Sequence, residues 1–189
     1  MGSEVLTKEF TTATNKKIYV FENLFDFATR SQFYNFAITS MFKIDGTDSK
    51  LLENKEHLSL VSVYTPFDVD RLEILRRLPA EILEKFNISN ETMQHAMINL
   101  CSPADRFHTH VDNNLENSWT LVYYLNLEWS PEWGGETIFL NEDGTDFEYV
   151  SQFKPGKLII FDPRIPHMIR PSTVLAPHFR FTFAAKFVA

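Results

Sequence analysis

The 189 residues are 44% hydrophobic and include 18 phenylalanines, enough apolar material for one sizeable core; two independent domains would each be under-filled, and disorder is excluded as the main description. A net charge of −7 with no basic run makes nucleic acid a poor partner. The single cysteine, Cys101, excludes an intramolecular disulfide and a multi-cysteine zinc site, and no stretch approaches the ~18 uninterrupted apolar residues of a membrane-spanning helix. The first six residues show no signal pattern, and Leu6 does not fit a myristoylation site, so the expectation is a soluble, cytoplasmic protein.

In chain order, the first signal is helical. From Asn23 to about Phe42 the apolar positions Leu24, Phe27, Ala28, Tyr34, Ala37, Ile38 and Met41 recur three or four apart, which predicts an amphipathic helix capped by Asn23. A second helical stretch runs Asp70 to Leu78 and restarts after Pro79 as Ala80 to Phe86, because proline is tolerated in a first turn but not in a helix interior. After about residue 92 the period changes to short β-like runs: Met93–Leu100, Trp119–Leu127, Glu136–Leu140, Phe147–Val150, Lys157–Asp162, His167–Arg170 and Phe179–Val188. Turn residues at Gly134-Gly135, Glu142-Asp143-Gly144, Pro155-Gly156 and Pro163 to Pro166 separate them, as in a sandwich or barrel rather than in βαβ units. The predicted fold class is mainly β with flanking N-terminal helices, built on a jelly-roll core: one domain, 1–189, in which 1–92 is helical and strand support and 93–189 is the core.

Six histidines are present, and four have ordinary explanations or weak signals. His57 and His95 fall in presumed strands with no ligand-type neighbours, and His178 reads as surface. The segment His108-Thr109-His110-Val111-Asp112 differs. In a strand, side chains two apart share a face, so His110 and Asp112 would present an imidazole and a carboxylate to one point, with His108 on the same face as a rim, supporting or substrate residue. His-x-Asp alone is weak, but His167 arrives 55 residues after Asp112 behind a buried-looking strand and the stiff turn Asp162-Pro163-Arg164-Ile165-Pro166. Two histidines and a carboxylate form the facial triad of mononuclear non-haem iron(II) oxygenases, which leaves coordination positions open. Arg180 follows on the last predicted strand, where its guanidinium offers a fork for a distal carboxylate, and Thr182 adds a hydroxyl on that face.

Three stretches carry a family resemblance: His110-Val111-Asp112-Asn113, Thr120-Leu121-Val122-Tyr123-Tyr124-Leu125-Asn126, and Gly134-Gly135-Glu136-Thr137-Ile138-Phe139. With Asp162 to Pro171 and Arg180, they resemble the prolyl 4-hydroxylase-type branch of the 2-oxoglutarate/iron(II)-dependent dioxygenases, oxygen-sensing prolyl hydroxylases included, over roughly residues 93–188. The resemblance implies a double-stranded β-helix that holds Fe(II) through His110, Asp112 and His167. It implies 2-oxoglutarate as co-substrate, with its far carboxylate on Arg180 and Tyr124 and with Thr182 beside it, dioxygen as oxidant and ascorbate as a candidate reductant. The chain departs from that pattern in three ways. The His167-to-Arg180 spacing implies a small insertion around Ser172 to Pro177, no tyrosine stands about ten residues before His110, and Lys186 occupies a position where the branch usually carries tryptophan.

The implied reaction is hydroxylation of one C–H bond of an amino-acid or peptidyl substrate, prolyl among the candidates, with release of succinate and CO2. The partner is then a small molecule or peptide. Trp129, Trp133 and the loop Asn113 to Ser118 flank the expected mouth, and Arg164 could read a substrate carboxylate or pair with Asp162 or a neighbouring acid. A nucleic-acid demethylase of the same superfamily would want arginine, not Lys186, six after Arg180. Two alternatives stay open at this point. A metal-binding cupin would use His108 and His110 as a His-x-His pair, with its glutamate expected a little closer than Glu116 and with no role for Arg180; a non-enzymatic jelly-roll binding module would give these residues no joint role.

Overall fold

A strand with period-two patterning divides space into two sides, and Arg180–Val188 does this along its whole length. Phe181, Phe183, Ala185 and Phe187 join the core beneath the helices, while Arg180, Thr182, Ala184 and Lys186 face the other way. A computed structural model of the chain describes residues 6–44, 60–103, 105 and 108–188. Its elements in order are β1 (Lys8–Thr11), β2 (Lys17–Phe21), α1 (Phe27–Ile38), β3 (Lys43–Ile44), β4 (Leu60–Tyr64), α2 (Glu73–Arg76), α3 (Ala80–Lys85), β5 (Met93–Cys101), β6 (Ser118–Tyr124), β7 (Thr137–Leu140), β8 (Phe147–Ser151), β9 (Leu158–Phe161), β10 (His167–Ile169) and β11 (Arg180–Val188). Short 3-10 helices cover Pro66–Arg71 and Pro131–Trp133.

The strands form an eight-stranded sheet in the order β1-β2-β9-β6-β11-β5-β4-β3 and a three-stranded sheet in the order β10-β7-β8. All the pairings are antiparallel, which makes a jelly roll. One hydrophobic core lies between the large sheet and the helices, where Phe33 and Ala37 of α1 and Ile82 of α3 meet Leu121, Tyr123, Leu158, Ile160 and Phe183. The other lies between the sheets and is built from Ile18, Val20, Tyr124, Phe139, Phe153, Ile159, Phe161 and Ile165.

The N-terminal half corrects the expected order of helices first and strands later. β1 and β2 extend the large sheet against β9, and β4 adds a strand beside β5. The first long helix is also shorter than the periodicity predicts. Asn23 takes a left-handed φ of +60°, and the cap is Asp26, whose carboxylate accepts from Thr29 N at 2.8 Å. The expected strand at His57 lies outside the described residues, as do residues 1–5 of the N-terminal segment.

Candidate active site

His110 and His167 are held together by the backbone before their side chains are considered. Each main-chain N–H donates to the other's carbonyl, at 3.0 and 2.9 Å, in an isolated antiparallel bridge, and Asp112 N donates to Pro163 O at 2.9 Å. The segment around His110 is thus anchored by one bridge rather than by a regular strand, yet it delivers the same-side placement that alternation predicts. The imidazole centroids lie 4.4 Å apart. One ligand atom from each of His110, Asp112 and His167 falls within 4.8 Å of the others, and the Asp112 oxygens stand 3.7 Å from His110 Nε2 and 3.7 Å from His167 Nε2.

The imidazole orientation follows from carbonyls. His110 Nδ1 donates to His108 O at 3.0 Å and His167 Nδ1 to Ile165 O at 2.9 Å, which leaves both Nε2 lone pairs directed at the common point. Burial pushes the His167 pKa down to about 4, against the opposing pull of Asp112, so this imidazole is neutral and able to ligate at physiological pH. Burial by itself would raise the Asp112 carboxyl, but His167, Lys186 and Thr120 outweigh it and the net shift is downward. Thr120 donates to Asp112 Oδ2 at 2.6 Å, and Lys186 Nζ lies 2.8 Å from Oδ1. A carboxylate with two imidazoles is a donor set that fits a divalent first-row metal. The set opens to solvent at one corner, because the His110 side chain is 51% exposed against 8% for His167 and 5% for Asp112.

Arg180 sits further along the same face of the large sheet. The side chain is buried, Nε donates to Gly135 O at 2.9 Å, Nη1 reaches Thr182 Oγ1 at 3.4 Å, and Nη2 has no partner. Phe153 and Tyr124 wall it in, with the guanidinium carbon 4.9 and 5.6 Å from their ring centroids. A buried, unsatisfied guanidinium N–H costs free energy until an acceptor arrives, and the fork fits a carboxylate. Gly135 makes this approach possible: its φ is +83°, and a Cβ would lie 3.2 Å from Arg180 Cδ. Tyr124 is fully buried and donates to Thr137 Oγ1 at 2.8 Å.

The outlying candidates are arranged differently. The Arg164 guanidinium forks onto Asp162, with Nε to Oδ1 at 2.9 Å and Nη2 to Oδ2 at 2.7 Å, and reaches Glu116 at 3.4 Å. Of the two readings open in the sequence, this is the pairing with local acids. Trp133 packs edge-on against Trp129 at 5.5 Å, and its carbonyl accepts from Thr173 N. His108 is exposed and acts on the triad through its carbonyl. The sequence reading did not single out Thr120, Thr137, Phe153 or the Gly135 carbonyl. For Thr120 a signal existed, since it shares the period-two face of β6 with Tyr124.

Residues 96–186 match the family model of the 2OG-Fe(II) oxygenase superfamily. The match covers 91 of the 189 residues, and with the His110–Asp112–His167 donor set it supports a 2-oxoglutarate/iron(II)-dependent dioxygenase, the cofactors of that class being Fe(II), 2-oxoglutarate and dioxygen. Among solved structures, the fold is similar to that of a Pseudomonas putida prolyl-4-hydroxylase, with a TM-score of 0.64 at 15% identity over 91% of this chain and 92% of that one. It is similar to a Trichoplax adhaerens prolyl hydroxylase in complex with a hypoxia inducible factor oxygen degradation domain peptide fragment, with TM-score 0.61, 16% identity, and coverage of 90% and 83%. A viral collagen prolyl hydroxylase from Paramecium Bursaria Chlorella virus-1 aligns over 100% of this chain and 98% of its own, with TM-score 0.57 and 14% identity. None of the curated proteins matches the chain in sequence.

Proposed function

We propose that residues 1–189 act as one dioxygenase domain that hydroxylates a C–H bond of an amino-acid or peptidyl substrate, prolyl residues among the candidates, with release of succinate and CO2. The observation that carries this reading is the meeting of two sites on one sheet face. A His110–Asp112–His167 donor set stands at one end, and a buried Arg180 with an unpartnered Nη2 stands at the other. Iron(II) and 2-oxoglutarate, when bound, supply the oxidising chemistry. The protein's part is positioning. His108 O and Ile165 O set the imidazoles, Thr120 and Lys186 set the carboxylate, and Arg180 and Thr182, with Tyr124 beside them, receive the far carboxylate of the co-substrate. No separate acid or base is needed.

A peptide substrate draws support from the Trichoplax relative, which was solved with one. Among the described residues no helix is long and apolar enough to cross a membrane. A reducing, cytoplasmic setting is part of the same proposal: the one cysteine, Cys101, is buried, and burial raises its thiol to about 11, so it is inert. The test is an anaerobic titration of iron(II)-loaded protein with 2-oxoglutarate, read by the visible charge-transfer band of the chelate. A saturable band that His110→Ala abolishes is the expected result; iron binding with no band would overturn the assignment.

A further inference from the structure

The three-stranded sheet covers only part of the large one. Its core contacts fall on β2, β9 and β6, through Ile18, Val20, Tyr124, Ile159 and Phe161. Beyond β11 the same face carries His95, Met97 and Asn99 of β5, all half-buried, and Val63 of β4, which is 42% exposed. The register aligns them with the site: Lys186 pairs with His95, Ala184 with Met97, and Met97 in turn with Val63. Next to the metal-ligand set there is therefore a half-open apolar floor of Ala184, Met97 and Val63, with one cation at its edge.

That cation is Lys186. Its Nζ is 2.8 Å from Asp112 Oδ1, and its side chain keeps 20% of its surface exposed. An ammonium has three N–H donors, so the pairing with Asp112 leaves donors for another acceptor. The cation next to the distal histidine, Arg164, is already held by Asp162 and Glu116. Charge points the same way. With Asp112, Lys186, Arg180, a divalent metal and a dianionic co-substrate together, the site is left with a single positive charge; a neutral side chain at 186 would leave none. A residual positive charge in a partly enclosed site favours an anionic ligand over a neutral one.

We propose that Lys186 recognises a carboxylate of the substrate, which makes the substrate class a small free amino acid, or a close amino-acid-like acid, oxidised near its own carboxylate. Its apolar side lies on Ala184, Met97 and Val63. The proposal rests on the dioxygenase reading and narrows it from peptidyl to free acid; an acidic side chain within a peptide is the other source of the same chemistry.

The test compares free amino acids, the matching amides, and capped peptides with an internal glutamate or proline. Two readouts are used: succinate release, and calorimetric binding to the Mn(II)- and 2-oxoglutarate-loaded protein under nitrogen, where no turnover occurs. The expected result is that at least one free acid binds and turns over about 10- to 100-fold better than its amide, as loss of a charge-assisted contact implies. Lys186→Met should abolish that preference and Lys186→Arg should largely restore it, both variants being compared with the wild type at metal and 2-oxoglutarate concentrations that saturate each protein, because Lys186 also orients Asp112. A panel in which no free acid exceeds its amide overturns the proposal, as does a preference for capped glutamyl or prolyl peptides. So does a Lys186→Met variant that weakens 2-oxoglutarate binding and leaves substrate preference unchanged, since Lys186 would then serve the co-substrate. Absence of the chelate band from the wild type would instead refute the dioxygenase reading itself.

Discussion

Arg180→Met is the substitution whose consequences can be worked most fully. In the free protein the guanidinium makes one good hydrogen bond, to Gly135 O, and a long one to Thr182, while Nη2 is buried without a partner. Methionine fills a similar volume between Phe153 and Tyr124 and removes the orphan donor, which costs about 1–3 kcal/mol. It also gives up the bond to Gly135 and the ring contacts, which oppose that gain at about 1–3 kcal/mol. Stability without ligand should therefore change little, by about 1 kcal/mol. Ligand binding should not be spared. A charge-assisted hydrogen bond to a carboxylate is worth about 1.5–3 kcal/mol, so the dissociation constant for 2-oxoglutarate should rise about 10- to 150-fold. Anaerobic titration of the chelate band gives that constant, and differential scanning calorimetry with and without 2-oxoglutarate gives the stability terms. If Arg180→Met binds 2-oxoglutarate like the wild type, or melts far lower before any ligand is added while ligand stabilisation persists, then Arg180 is a core residue and the reasoning fails.

His110→Ala and Asp112→Ala should each abolish turnover and lose Co(II) binding measured by absorption; retained stoichiometric Co(II) in either variant would place the metal elsewhere. Thr120→Val removes the 2.6 Å donor to Asp112 and should weaken Mn(II) binding about 10- to 100-fold with an unchanged circular dichroism spectrum. Metal-free stability should also depend on pH. The His167 pKa is about 4 in the folded protein against about 6.5 unfolded, so below 6.5 the unfolded chain takes up a proton that the native state refuses. Its contribution is complete above about 6.5 and is lost as pH falls toward 4, by about 3 kcal/mol at most, with Asp112 adding a loss of the same sign at lower pH. Urea unfolding in EDTA reads this slope, and His167→Asn should flatten it; an equal slope in the variant would assign it to other groups.

How much of the fold is legible depends on whether a strand is covered on one face or two. β11 places Phe181, Phe183, Ala185 and Phe187 at alternate positions, because that face meets the helices while the other meets the site, and its run is readable from Phe179 to Val188. β2 is the opposite case. Ile18, Tyr19, Val20 and Phe21 are all buried, Tyr19 and Phe21 beneath the helices and Ile18 and Val20 between the sheets, so no period-two signal survives. Its place beside β9 is a long-range pairing that no local pattern announces. The start of α1 is a smaller instance: Asn23 and Asp26 are both good capping types, and only the backbone conformation at Asn23 decides between them.

The site is legible in its chemistry and illegible in its support, for a definite reason. Metal ligation and carboxylate binding draw on few residue types, so His110, Asp112, His167 and Arg180 stand out among ordinary neighbours. What holds them is largely main chain. The carbonyls of His108, Ile165 and Gly135 fix two imidazoles and a guanidinium, and a carbonyl has no residue-type signature. The side-chain supports that do exist depend on register. Thr120 and Lys186 both reach Asp112 because β6 and β11 pair with those two residues opposite each other, and a one-residue slip would turn both away from the site. Substitutions that shift the register of β11 against β6 should therefore disable metal binding as completely as loss of a ligand, even with every ligand residue in place.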